Sequence, residues 1–380
     1  LHRGLRIAST DLYLRPTVEY AFNDNVTVAG GLDVVANLAN VTASIQQPPR
    51  EGEPPSPLVT EDLINIDGKF TQYYPSAWAE VRWRPIQDLL VVPGIRTESY
   101  IFTEQQEVKR TVNPRLAVRY ALTETLTLKG GAGVYHSPPG QDEPSTGFGN
   151  PDLGAKRSLQ YSVGAEWQAR PEWFVGSEVF YNDLDDLIVR SNARVVRDGE
   201  SVPENLKNGG VGRIYGFELL VRRALTDRLF GWISYTLSRS ERRDAPGARW
   251  RKFDNDQTHV LTAIASYKLP KGWEVGARFR FASGNPTTPV LGSKRDDTTD
   301  VFIPYYGLVN SQRLPSFNQL DIRVDKNLVF DTWNLDLYLD LTNAYNNQSV
   351  EGVAYNYNYS KREYFKGLPI LPVLGLKGAF

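Results

Sequence analysis

The stretch TWNLDLYLDLTNAYN, Thr332 to Asn346, alternates without a break. Trp333, Leu335, Leu337, Leu339, Leu341, Asn343 and Tyr345 hold the odd positions, and Asn334, Asp336, Tyr338, Asp340, Thr342 and Ala344 the even ones. A period of two means a β-strand with one apolar and one polar face. Strands of soluble sandwiches usually run about 5–6 residues. This alternation lasts longer, close to the ~9–11 residues with which a tilted strand crosses a bilayer. Asp336 and Asp340 are too costly to place against lipid, so they are expected to face a wet interior.

The unit recurs along the chain. Leu12, Leu14, Val18, Tyr20 and Phe22 oppose Tyr13, Arg15, Thr17 and Glu19; Val26, Val28, Leu32 and Val34 oppose Thr27 and Asp33. Ala77, Ala79, Val81 and Trp83 oppose Glu80, Arg82 and Arg84, and Leu159, Tyr161, Val163, Ala165 and Trp167 oppose Ser158, Gln160, Ser162 and Glu166. Near the end, Trp273, Val275, Ala277, Phe279 and Phe281 oppose Glu274, Arg278 and Arg280, while Leu320, Ile322 and Val324 oppose Asp321, Arg323 and Asp325. Only residues 260–265, where both faces are apolar, leave the facing undecided.

Short turns near 24, 87, 124, 171, 226, 271 and 331 alternate with longer stretches near 40–69, 138–156, 191–209, 241–255, 285–315 and 347–366. Trp83, Trp167, Trp173, Trp273 and Trp333, five of the eight tryptophans, flank the short turns. Short turns and aromatics at one rim, with long loops at the other, are the pattern of an antiparallel transmembrane β-barrel of the bacterial outer membrane. The spacing predicts about fifteen strands, the last from Gly367 to Phe380.

Composition narrows the function. The 380 residues carry a formal net charge of -1 and no basic block, which argues against nucleic acid as a partner. With no cysteine there is neither disulfide nor thiol chemistry. No apolar run reaches the ~18 residues of a membrane helix, so a membrane role requires a barrel. The chain starts at Leu1, has no methionine and shows no signal peptide, and reads as part of a longer protein.

Several short motifs resemble the barrel of the TonB-dependent outer-membrane receptors. Asn150-Pro151-Asp152-Leu153 before Arg157-Ser158 is similar to that family's loop-to-strand entry. Phe180-Tyr181-Asn182 with Asp186-Leu187-Ile188, Gly212 to Glu218, and Gln257-Thr258-His259 resemble its strand starts in order. Phe380 matches the terminal aromatic read by the barrel-assembly machinery. The chain departs from the family in carrying Ala155-Lys156 where a glutamate often precedes the strand serine. The resemblance implies residues 1–380 are the C-terminal part of a barrel of roughly 22 strands, with no plug domain in this chain. It also implies TonB-driven import of a scarce nutrient such as a ferric siderophore or other metal chelate. An upstream plug would contact the TonB energy-transducing complex, and outer-membrane lipid would surround the wall. An unplugged diffusion porin and a barrel anchoring a surface protein are the alternatives. Alone, these residues are not expected to close, because an odd strand count leaves an edge unpaired in lipid.

Catalysis finds no support. His2, His136 and His259 are far apart and no metal-ligand spacing occurs, so neither enzyme activity, nor a cofactor, nor a metal site is expected. Asp296, Asp297 and Asp300 could offer oxygens to Ca²⁺, but they lack EF-hand spacing and fit a solvated loop better. Two ligand-binding candidates remain. Arg239, Arg242, Arg243, Trp250 and Arg251, with Arg249 and Lys252, make a basic loop that would draw an anion such as a ferric chelate or a lipid phosphate, or would be a solvated loop whose charges pair with Glu241 and Asp244. Tyr355, Tyr357 and Tyr359 share one side if the chain is extended, suiting flat ligands, or else prolong two strands above the membrane. Arg278, Arg280, Asp321, Arg323, Asp336 and Asp340 are expected to line the lumen.

Overall fold

The computed structural model describes residues 4–46, 63–103, 107–140, 143–144, 149–197, 199–226, 228–298 and 300–379. In chain order its strands are β1 (Gly4–Leu14), β2 (Thr17–Asn23), β3 (Val26–Gln46), β4 (Leu63–Ile86), β5 (Leu89–Phe102), β6 (Glu107–Ala121), β7 (Leu126–Ser137) and β8 (Lys156–Arg170). Then follow β9 (Trp173–Arg197), β10 (Glu200–Arg223), β11 (Leu229–Arg243), β12 (Arg251–Lys252), β13 (His259–Leu269), β14 (Trp273–Ala282), β15 (Pro286–Thr287), β16 (Val290–Asp296), β17 (Val301–Tyr306) and β18 (Gln312–Arg313). The chain ends with β19 (Phe317–Val329), β20 (Asn334–Thr342), β21 (Val350–Tyr355), β22 (Arg362–Lys366) and β23 (Leu371–Ala379).

Seventeen of these strands form one antiparallel sheet. Taking β1 and β2 as one interrupted strand, and β12 as part of a loop, the sheet has fifteen spans, each bonded to its neighbour in the chain. Pro16 causes the interruption, since it has no N–H to give the ladder. The register runs on unchanged from Leu14 opposite Val34 to Thr17 opposite Gly31. Among the described residues β1 and β2 pair only with β3, and β23 pairs only with β20.

The ladders sort the side chains by face. Arg278 stands opposite Asp321 and Arg323 opposite Asp340, so the charges of β14, β19 and β20 share one face. Leu335, Leu337, Leu339 and Leu341 point the other way, opposite Leu328, Lys326, Val324 and Ile322. The undecided strand is settled by its partners: Thr262 lies opposite Arg280 and Ile264 opposite Arg278, which puts Leu261, Ala263, Ala265 and Tyr267 on the apolar face. That face is open to the surroundings, with Val18, Val163 and Leu376 among its most exposed residues. The tryptophans and tyrosines beside the short turns also stand on it; Trp83, Trp167, Trp273, Tyr20 and Tyr120 are all exposed.

The long connections differ from expectation. Residues 40–46 and 63–69 belong to β3 and β4, leaving only 47–62, outside the described residues, for the proline-rich tip. Most of 191–209 is the upper part of the β9–β10 hairpin, and Pro203 fits there because it sits at a register shift. Strand pairing continues past any bilayer because it satisfies backbone groups as well there as below. Phe380, expected as an assembly signal, also lies outside the described residues.

Candidate functional site

The charged face is a series of linked ion pairs. Arg278 and Arg280 converge on Asp321 at 2.6 and 3.7 Å, and Gln319 adds a hydrogen bond to the same carboxylate. Arg323 binds Asp325 at 2.7 Å, approaches Asp340 at 3.9 Å and stacks over the Tyr338 ring, while Asp336 accepts from Asn327. A second network, which the sequence reading did not single out, joins Arg15, Asp33, Arg96, Ser76 and Glu98 across β3, β4 and β5. A cleft of about 510 Å³ opens on this face, lined by Glu80, Arg115, Gly133, Tyr135, Glu178 and Glu218.

The basic segment splits between the two faces. Arg242 lies opposite Gly212 and Arg251, on the side where a Cβ at Gly212 would meet the Arg242 guanidinium at 2.8 Å and Leu184 at 3.0 Å. Ser238, on the charged face with Gly216 and Phe180, fixes that side. There Arg251 pairs with Asp244 at 2.8 Å and Arg242 stacks over Phe253. Arg239 and Glu241 alternate to the other side, continuing the row Ile233, Tyr235 and Leu237. Arg213 reaches Glu241 at 2.7 Å, Arg239 reaches it at 3.3 Å, and Arg213 and Arg243 both lie over the Trp250 ring, 4.4 and 4.8 Å from its centre. The expected single basic patch is thus two, because a strand sends successive side chains to opposite faces and β11 runs up to Arg243.

The tyrosine run also divides. A turn at Asn356 to Lys361, with Tyr359 at φ 56, folds the chain back on itself. Tyr355 and Tyr359 therefore meet each other, 5.9 Å between ring centres, and Tyr357 leaves for the β16–β17 hairpin. There it stands edge-on to Phe302 at 5.5 Å, its hydroxyl donating to the Asp300 carbonyl. Tyr306 completes the first group: burial pushes its phenol up to about 12, and the phenols of Tyr359 and Tyr355 add to the rise. Asp300, a possible cation ligand by sequence, is instead paired with Arg295 at 2.5 Å.

Two loops are locked together by residues the sequence did not mark. The Asp256 side chain is 1% exposed and accepts from the Ser240 amide at 2.6 Å and from the Arg313 guanidinium. Arg313 also donates to Thr258 at 2.8 Å and to the Gly284 carbonyl at 3.0 Å. Beside them Asn310 donates to the Lys252 carbonyl at 2.9 Å and to Asp254 at 2.6 Å. Burial, with the nearby Arg313 and Arg239, holds the Lys252 ammonium below the usual lysine range. The Asn150–Leu153 motif does similar work for another loop. Asn150 is buried, donates to the Leu206 carbonyl at 2.6 Å and accepts from Arg197 at 2.5 Å, tying that loop to the β9–β10 hairpin.

A family model described as TonB dependent receptor-like, beta-barrel matches residues 6–346. No curated protein matches the sequence. Among solved structures, the ferric-catecholate import receptor Fiu from E. coli K12 superposes with a TM-score of 0.69 at 15% identity, over 98% of this chain and 55% of that one. The FrpB iron transporter from Neisseria meningitidis gives 0.66 at 14%, over 99% and 55%, and the copper transporter OprC 0.63 at 14%, over 98% and 56%. At such identities these likenesses speak for the fold, and the chain spans little more than half the length of each. By the family match, the chain belongs to the TonB-dependent receptor β-barrels, a family of transporters of the bacterial outer membrane rather than of enzymes.

Proposed function

We propose that the chain forms most of the barrel wall of a receptor that imports a scarce nutrient, a ferric siderophore or other metal chelate, by TonB-driven transport. The supporting observation is the separation of faces. Networks around Asp33 and Asp321 occupy one side of strands whose other side is Leu, Val and Trp open to the surroundings. That arrangement is favourable when the first side lines a wet lumen and the second meets lipid. Arg278, Arg280, Asp321, Arg323, Asp336 and Asp340 then border the path of the solute.

Capture belongs to the loop rim. Arg242 and Arg251, on the lumen side, would attract an anionic chelate before it enters. Tyr306, Tyr355 and Tyr359 offer rings and phenols to a flat, partly hydrated ligand. A plug upstream of residue 1 would fill the lumen and carry the contact with the TonB complex. The barrel-assembly machinery would read Phe380.

Uptake of a panel of labelled ferric chelates by cells carrying the full-length protein tests this reading. Uptake of at least one chelate is expected, and it should vanish in cells lacking TonB. Entry that persists without TonB and falls off smoothly with solute size would establish a diffusion porin instead.

A further inference from the structure

The cations on the apolar side of β10 and β11 are not explained by import. Arg213, Arg239 and Arg243 share that side with Trp250, and Lys252 stands opposite Glu241 in the β11–β12 ladder. The acids facing them are Glu241, bound to Arg213 and Arg239, and Asp183, across the ladder from Arg213. Arg213, Arg239 and Arg243 therefore meet two carboxylates, while Lys252 also feels Asp256. Arg243 has no carboxylate partner among the described residues, and its Nε is buried without a hydrogen bond.

Height along the wall places this cluster. Arg213 lies ten residues from Arg223 along β10. At ~3.3 Å per residue and a tilt near ~45°, that is about 23 Å along the membrane normal. An outer-membrane barrel's apolar band is about 25 Å tall. Arg223, stacked 5.6 Å from the Trp173 ring beside a short turn, marks the inner headgroup level, so Arg213 stands at the outer one. Just below it Tyr181 and Tyr215 are stacked and exposed, 6.4 Å apart, with Tyr215 under the Arg213 guanidinium. Exposed Val179, Ile233 and Leu237 continue the same face downward.

We propose that Arg213, Arg239 and Arg243, braced by Trp250, form a docking site on the outside of the barrel for a phosphorylated glycolipid of the outer leaflet. Guanidinium groups grip phosphate through paired charge-assisted hydrogen bonds. Tyrosine and tryptophan rings suit the boundary between headgroup and acyl chains. Trp250 lies against both the Arg213 and the Arg243 guanidiniums, and no carboxylate of the described residues neutralises Arg243. The acyl chains would lie along Val179, Ile233 and Leu237. This rests on the facing proposed above, in which Arg242 and Arg251 look into the lumen and this cluster does not.

The test uses the full-length receptor purified from outer membranes. Bound glycolipid is counted by native mass spectrometry, with the phosphorylated lipid, its enzymatically dephosphorylated form and inorganic phosphate added in turn. The parent should retain the phosphorylated lipid through dilution and discriminate against the dephosphorylated form. The variant R213Q/R239Q/R243Q should lose at least about tenfold in retention, the scale of one charge-assisted bond, whereas R242Q should retain lipid like the parent. If the triple variant does not assemble, as judged by its heat-modifiable mobility, Arg243→Gln alone carries the test, because it removes the cation that has no carboxylate partner among the described residues. Equal retention by variant and parent overturns the proposal. So does indifference to the lipid's phosphate, or full displacement by inorganic phosphate alone, which would make this a free-anion site. Chelate uptake is measured in parallel: loss of lipid without loss of TonB-dependent uptake supports the site, and absence of uptake with lipid binding intact refutes only the transport reading.

Discussion

The two halves of the sheet use their chain differently above the membrane. In the first half the wall itself grows: β9 has 25 residues and β10 24, and their ladder runs from Trp173 up to Arg197 with shifts but no break. In the second half β20 and β23 have only 9 residues each, and the intervening chain folds into separate small sheets, β15–β18, β16–β17 and β21–β22. Tall hairpins rely mainly on backbone ladders, with the buried Asn150 tie to Leu206 and exposed pairs such as Arg197–Asp152, whose acid is 72% exposed. The folded rim relies on buried side chains, Asp256, Asn310 and Asn343. The difference teaches where specific chemistry can be held. A ladder sets direction but leaves side chains free, whereas a packed rim fixes a tyrosine group or an arginine in place.

The contrast can be broken most directly at Asp256. Asp256→Ala would strand the Arg313 guanidinium in the rim, and losing one member of a buried pair costs about 3–5 kcal/mol. The expected result is rapid hydrogen exchange and protease cleavage within 244–258 and 283–316, while exchange in β9 and β10 stays unchanged. Loosening of β9 and β10 together with the rim would show that the two halves are not separate. A somewhat smaller effect should be common to both halves. Arg placed for Leu337 in β20 or for Val179 in β9 faces the same lipid, at about 2–4 kcal/mol near the midplane. Folding titrations into bilayers should show similar losses, and a loss in only one would mean the halves do not share an apolar face.

Alkaline pH should separate the regions too. Tyr306 titrates at about 12 in the folded rim against a usual 10. Between those values the unfolded rim has lost a proton that the folded rim keeps, so rim stability falls as pH rises from 10 to 12 and is unaffected below 10. Phenolate absorbance at 295 nm with rim exchange rates would follow this, and Tyr306→Phe should weaken the rim's dependence, leaving the part that comes from Tyr359, whose phenol burial also raises. The smallest effect is expected at Asp152→Ala, which removes an exposed pair and should change stability by no more than ~1 kcal/mol. A large loss there, measured by thermal unfolding in detergent, would mean that tall hairpins depend on side chains as the rim does.

The sheet was legible because lipid and water impose two environments on alternate residues, and the stretch around Leu337 and Asp336 shows both at once. Fifteen spans and the tryptophan rim follow from that rule alone. The rim was not legible, because its contacts join residues far apart in sequence: Arg313 and Asp256 are separated by 57 positions, and neither stands in a motif. The basic segment was legible in its partners, Glu241 and Asp244, but not in its facing, for a local reason. Its arginines are neighbours in sequence, but β11 continues through them and parts Arg242 from Arg239 and Arg243. The shared side for the tyrosines depended on an extended chain, and a left-handed residue at Tyr359 reverses it there instead. Asn150 lies between these cases: its motif was visible, while its task, binding the Leu206 carbonyl, was not.

The Asp256–Arg313 pair has a consequence for how such a chain can diverge. The β9–β10 tip near Gly199 and Glu200 is exposed, so insertions and deletions there leave the ladder below it intact. The rim has no such freedom. Asp256 and Arg313 sit on different loops, and a change in either leaves the other's charge without its partner. Relatives that acquire a new ligand by altering this rim are therefore expected to replace both residues together or keep both, with the variable positions gathered on the tyrosine side.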